Sequence, residues 1–177
     1  MQKYAAFLRG INVGGNKKVP MAELKKVLEK IGIKNVKTLL ASGNVVFEAD
    51  SNKIDDLQIS ISSAIEKAFN FPVPVLLRSF PDIQKIIALD PFKNITITPQ
   101  TRLYVTFLTK KVQDKASSNK VSPDKSFTIL AKTKSEVFSV LDLSVTGTPE
   151  AMSTLKKEFG KEVTTRNWNT ILKLASL

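Results

Sequence analysis

The stretch Arg9-Gly10-Ile11-Asn12-Val13-Gly14-Gly15-Asn16-Lys17-Lys18 gathers three cations, three glycines and two asparagines. It lies between an apolar run, Tyr4 to Leu8, and an amphipathic pattern that starts near Pro20. This mixture suits anion binding, because glycine lets backbone amides approach a ligand while lysine and arginine supply charge. A helix starting near Pro20 would add free N–H groups and the positive end of its dipole. The spacing is not a Walker A motif: Asn16 follows Gly10-x-x-x-x-Gly15, and no Ser or Thr follows the lysines. Nor is it Gly-x-Gly-x-x-Gly. The competing reading is a flexible glycine turn with solvated lysines.

Two further polar stretches bear on the same chemistry. Ser42-Gly43-Asn44 is a turn by residue type. Thr164-Thr165-Arg166-Asn167-Trp168-Asn169-Thr170 places an arginine among hydroxyls and amides at a helix start, although Asn167 and Trp168 taken separately read as cap and core. Arginine's planar fork matches phosphate in a way that lysine's point charge does not. Arg78 and Arg102, at strand ends, are expected to pair with carboxylates. The expected anion-binding set is therefore Arg9, Asn12, Gly14, Gly15, Lys17, Lys18, Ser42, Asn44, Arg166, Asn167 and Asn169.

The sequence excludes several reaction classes. With no histidine and no cysteine, zinc sites, Ser-His-Asp triads and thiolate chemistry are ruled out. Ser42 has no histidine to activate it and reads as a turn residue. No catalytic residue is assigned, no metal site is expected, and Mg²⁺ would enter only on a substrate's phosphate. The formal charge is 27 − 16 = +11, and residues 1–44 hold nine Lys or Arg against two Glu, a net +7. Such a field attracts nucleic acid or phosphorylated ligands, though a lysine-rich surface also serves solubility alone. No apolar run approaches the ~20 residues of a membrane span. The N-terminus lacks a secretory layout and cysteine is absent, so a cytoplasmic setting is expected.

These residues must be positioned by regular elements. Tyr4 to Leu8 reads as a strand apolar on both faces. Pro20 suits a first helical position, Met21, Leu24, Leu28 and Ile31 repeat at helical spacing, and Gly32 ends that helix. Val36 to Leu40 and Val45 to Phe47 are strands around the serine turn. Asp50-Ser51-Asn52 offers a cap for a helix marked by Ile54, Leu57, Ile61, Ile65 and Phe69, and Val73 to Leu77 is a strand. This is the β-α-β-β-α-β order of a ferredoxin-like unit.

Ser79 and Asp82 resemble a capping box opening a short helix through Ile87. A looser repeat follows: a strand at Leu103 to Leu108, a helical turn at Val112 to Ser117, and a hairpin of Phe127 to Ala131 with Val137 to Leu143. A helix from Thr148 to Phe159, an extended Glu162 to Thr165 and a last helix from Trp168 to Leu174 complete it. The fold class is α+β: two ferredoxin-like subdomains, 1–79 and 80–177, packed together so that each covers the other, plus a C-terminal helix.

Strand order alone brings two motifs together. A crossover helix makes the first two strands parallel, so the loop after the first and the turn after the second lie at one end of the sheet. That places Arg9 to Lys18 beside Ser42-Gly43-Asn44. A base-stacking sheet would need aromatics exposed on its face, and Phe7 and Phe47 read instead as core.

Leu8-Arg9-Gly10-Ile11-Asn12-Val13-Gly14-Gly15, Ser42-Gly43-Asn44-Val45-Val46-Phe47 and Thr164 to Thr170 together resemble a bacterial family. It is the domain-of-unknown-function family numbered sixteen-ninety-seven. Pro20-Met21 and Asp90-Pro91-Phe92 fit the same pattern, with Asp90 standing where asparagine is expected. The resemblance implies two ferredoxin-like subdomains and no established activity. Function is therefore expected from the residues: binding of nucleic acid or another phosphate-bearing polyanion through the glycine-rich basic loop. The rival expectation is an enzyme acting on a small phosphorylated or nucleotide substrate.

Overall fold

The computed structural model describes residues 1–50, 53–109, 120–122 and 125–177. It is a mixed α and β protein that divides into two compact units, Met1–Ala88 with Leu172–Leu177, and Leu89–Ile171. The first unit runs β1 (Gln2–Leu8), α1 (Met21–Lys30), β2 (Lys34–Leu39), β3 (Asn44–Ala49), α2 (Ile54–Phe69), β4 (Val75–Ser79) and α3 (Phe80–Ala88). Its sheet has the order β2-β3-β1-β4, with every neighbouring pair antiparallel.

Pattern explains the packing. Leu24 and Leu28 of α1, and Leu57, Ile61 and Ile65 of α2, recur at helical spacing and are buried. They form one core with Tyr4, Ala6 and Leu8 of β1, Val45 and Phe47 of β3, and Val75 and Leu77 of β4. Each Val, Leu, Ile or Phe side chain among them contributes about 1.5–3 kcal/mol when fully buried. Tyr4 stacks on Phe47 with ring centroids 5.7 Å apart. Ala5 and Phe7 are fully buried too, so β1 is covered on both faces as its composition requires. Phe7 and Phe47 are core residues and offer no stacking platform.

Helix ends account for most of the differences from the sequence reading. Pro20 is not the first helical residue but the residue before it, in an extended conformation (φ −62, ψ 128). Ile31 lies past the end of α1 and is exposed, while Ile33 is buried. Gly32, at φ +86, turns the chain back so that Ile33 N–H reaches the Leu28 carbonyl (3.2 Å) and Gly32 N–H reaches Glu29 (3.1 Å). β4 begins at Val75 rather than Val73, because Pro74 has no N–H for the ladder. Lys53 occupies the cap position of α2 without a side-chain capping hydrogen bond; the expected cap residues Ser51 and Asn52 lie outside the described residues. Arg102 bonds the carbonyls of Pro99 and Thr101 (2.8 and 3.0 Å), and among the described residues no carboxylate pairs with it as expected.

The second unit contains β5 (Thr101–Phe107), β6 (Lys120–Val121), β7 (Phe127–Lys132), β8 (Glu136–Asp142), α4 (Thr148–Phe159) and β9 (Thr164–Asn167). α5 (Trp168–Ala175) begins in this unit and ends in the first. The strand order is β6-β7-β8-β5-β9, so β7-β8-β5-β9 repeats the order of the first sheet with β6 added at the edge. The helical turn expected at Val112 to Ser117 lies outside the described residues. Tyr104, Ile129, Val137 and Leu141 pack with Ala151 and Leu155 of α4. Phe92, Phe138 and Trp168 form a separate edge-to-face cluster, with centroids 5.2 to 6.4 Å apart.

α3 belongs to the first unit, where it packs on β1 and β4. At its start the Ser79 hydroxyl donates to Asp82 Oδ2 (2.5 Å) and accepts the Asp82 N–H (3.3 Å), while Lys85 Nζ lies 3.2 Å from Asp82 Oδ1. Burial raises the Asp82 pKa, but the Ser79 and Lys85 hydrogen bonds, with the charges of Lys85 and Arg78, outweigh it and hold the carboxyl below its usual range. A depressed folded pKa stabilises the fold above the unfolded value of about 4 and loses that contribution as pH falls through the folded one. Asp82→Asn should therefore flatten part of the acid limb of a stability-versus-pH curve measured by urea unfolding; an unchanged limb would show that Asp82 does not contribute.

Candidate functional site

The chain leaves β1 with Leu8 N–H donating to the Gly43 carbonyl (2.8 Å) and Arg9 N–H donating to Pro74 (2.9 Å). Gly43 sits at φ +76, and a Cβ there would lie 2.7 Å from Leu8 Cβ and 2.8 Å from Ile11 Cδ1. The glycine is required twice over, by its backbone angle and by this close approach. Ile11 is buried and anchors the base of the loop.

Asn12 then ties the loop together. Its amide nitrogen donates to the carbonyls of Val19 (3.0 Å) and Ala41 (2.7 Å), and its amide oxygen accepts the Val19 N–H (2.8 Å). One side chain thus joins both ends of the loop to the turn between β2 and β3. The expected juxtaposition of the glycine loop and the serine turn is what the geometry shows. Asn12 itself adopts φ +54, which asparagine tolerates better than other side chains.

Between Asn12 and Lys17 the chain makes a small hairpin. Asn16 N–H bonds Val13 O (3.2 Å), Asn12 N–H bonds Lys17 O (3.1 Å), and Gly14 and Gly15 sit at φ +60 and +77. Two successive positive angles between paired residues make a type I′ turn, which explains the Gly-Gly pair without a ligand. Lys17 leans back over the Phe71 ring (5.9 Å), with its ammonium 3.4 Å from the Pro72 carbonyl. Lys18 is exposed and makes no ion pair among the described residues.

Lys18 borders a hollow of about 420 Å³ at the start of α1, formed with Asn12 and Gly15, the Val19-Pro20-Met21 segment, and Ala41 from the turn. Among the described residues, no carboxylate lines it. Pro20 provides no side-chain cap, so nothing of its own covers the first amides of α1, although Glu23 places an acid in that first turn. Ala41, Pro20 and Met21 are members that composition did not single out. Ala41 carries no chemical signal of its own and is recognisable only through its place in the turn.

Ser42 and Asn44 keep structural roles: the buried Asn44 amide donates to Leu39 O and to Ser42 Oγ, both at 3.0 Å. In the second unit, Arg166 Nη1 donates to the Thr165 carbonyl (2.9 Å), and burial pushes its pKa down to about 10, so it remains charged at neutral pH. Arg166 is paired with Val105, and Val105 with Phe138, which puts all three on one sheet face. Asn167 Oδ1 accepts Asn169 N–H (3.0 Å) and caps α5. Asn169 is exposed.

A family model described as "Protein of unknown function (DUF1697)" matches residues 1–138. The chain belongs to the DUF1697 family. The match takes in the loop and the serine turn, whereas Thr164 to Thr170 lies beyond it. This DUF1697 chain is similar to a conserved bacterial protein, SP0830, from Streptococcus pneumoniae, with 24% identity, 99% of this chain and 97% of that one covered, and a TM-score of 0.76. That likeness shows a shared fold. An unknown protein from Galdieria sulphuraria matches at 13% identity over 94% of this chain and 96% of that one, with a TM-score of 0.25, too low to carry an argument. No curated protein matches.

Two substitutions test the geometry of the DUF1697 loop. Asn12→Ala removes three hydrogen bonds and leaves the buried Val19 N–H without its acceptor, for an expected loss of about 2–3 kcal/mol in urea unfolding. Gly43→Ala forces a Cβ against Leu8 and Ile11 at positive φ and should cost about 2–4 kcal/mol, against about 1 kcal/mol for Gly14→Ala, whose Cβ meets open space. Equal losses at the two glycines would contradict the packing described.

Proposed function

We propose that this chain binds nucleic acid or another phosphate-bearing polyanion at the hollow where α1 begins. The observation that carries the reading is Lys18, a cation with no ion pair among the described residues, beside a helix start without a side-chain cap, in a hollow that no described carboxylate lines. The net +7 of residues 1–44 supports it, since exposed Lys25, Lys26, Lys30, Lys34 and Lys37 extend the field over this unit. Arg9 and Lys17 would act through that field, as their local bonds belong to the fold. The reading does not depend on Arg166, Asn167 or Asn169.

The strand order supports a ferredoxin-like arrangement in each unit. The absence of cysteine supports a cytoplasmic setting, and no helix among the described residues is long and apolar enough to cross a membrane. No cofactor is part of the proposal.

A second reading rests on size. About 420 Å³ lies within the usual ~300–1,000 Å³ range of small-ligand pockets, which favours a small phosphorylated or nucleotide substrate, with Mg²⁺ carried on its phosphate. A broad nucleotide panel that raises Tm would support that reading. For the preferred one, short RNA and DNA should bind at low salt and weaken steeply as salt rises. Lys18→Ala should lower affinity several-fold and reduce the salt slope by about one. No binding of either nucleic acid at low salt would overturn it.

A further inference from the structure

The make-up of the hollow says more than its charge does. Its floor is the buried Val19, its walls are Pro20, Met21 and Ala41, and Asn12 has both amide protons and its oxygen already engaged. Among the described residues, Lys18 is thus the one charged side chain that lines it, and it makes no ion pair. Close by, Val13 on the hairpin and Leu40 in the serine turn are exposed at 68% and 56%. They adjoin Asn12 and Ala41 in the chain, which the Asn12 amide joins by donating to the Ala41 carbonyl, so they add apolar surface at the same end of the sheet.

A site built to hold a dense polyphosphate would present several cations converging on it. This one presents an apolar recess with one cation at its rim. Its chemical complement is a flat, weakly polar body joined to one negative group. A nucleotide unit has that form, with a base face for the recess and a phosphodiester for Lys18. In a duplex the base faces are stacked on their neighbours and out of reach, whereas a single strand can splay a base outward.

We infer that the ligand is single-stranded nucleic acid, one base seated in the recess between Pro20, Met21 and Ala41 and its phosphate against Lys18. This rests on the polyanion reading and narrows it. Recognition of this kind is tolerant of sequence, because every base has an apolar face.

The experiment compares four probes at low salt: single-stranded oligothymidylate of about twelve nucleotides, an abasic strand of equal length and charge, the corresponding dT·dA duplex, and inorganic polyphosphate. The intact single strand should bind at least about fivefold more tightly than each of the others. Ala41→Trp fills the recess from an exposed position and should lower that affinity by about the same factor. Circular dichroism and a melting curve establish that the variant is folded, and Met21→Asp provides a second variant of the same wall. Equal binding of intact and abasic strands would overturn the base pocket while leaving polyanion binding in place. Failure of all four probes to bind would overturn both.

Discussion

The contact of Gly43 with Leu8 and Ile11 is the constraint on which the first unit's open end depends. A backbone without a side chain lets the β2–β3 turn lie directly against the end of β1, close enough for the Leu8 N–H to reach the Gly43 carbonyl at 2.8 Å. Ile11 is buried in the same place, and the loop that follows is held from a fixed base. Asn12 can then reach Ala41 on one side and Val19 on the other. With any larger residue at position 43, the turn would have to shift away from Leu8 and Ile11, straining the Asn12 bridge to Ala41.

From this base the functional geometry follows by short steps. Anchoring Val19 directs the chain into Pro20, whose extended conformation starts α1 without a side chain over its first turn. The hairpin of Val13 to Asn16 carries Gly15 to one side of the recess, and the turn carries Ala41 to the other. Lys17 is drawn toward Phe71 and Pro72, while Lys18, the next residue, remains uncommitted. Adjacent lysines of identical chemistry therefore take different roles, decided by which one meets the segment before β4.

Several polar residues that look like ligands in the sequence also make structural bonds, for one physical reason. A turn or helix end leaves backbone groups without partners, and asparagine supplies both a donor and an acceptor to satisfy them. Asn12, Asn44 and Asn167 all do this, bonding backbone atoms close by in the chain or across a turn. Gly14 and Gly15 likewise serve a type I′ turn. Arg166 is a half-buried cation, lowered in pKa but still charged at neutral pH, on the sheet face it shares with Val105 and Phe138. A residue's type declares which bonds it can make; only its neighbours determine which bonds it does make.

The sequence by itself determined the order of strands and helices in the first unit, the parallel relation of β1 and β2, and hence the meeting of the glycine loop with the serine turn. These follow from local periodicity and from turn and crossover chemistry, which are properties of short segments. It also determined the chemistry that is absent, because no arrangement of the chain can create a histidine or a cysteine. Tertiary structure alone decided that Lys18 rather than Lys17 is uncommitted and that Asn12 is a brace. It also decided that Ala41, Pro20 and Met21 form the walls of the recess. Those outcomes depend on distances between segments far apart in the chain, such as Asn12 to Ala41 and Lys17 to Pro72, and no pattern within a single segment encodes them.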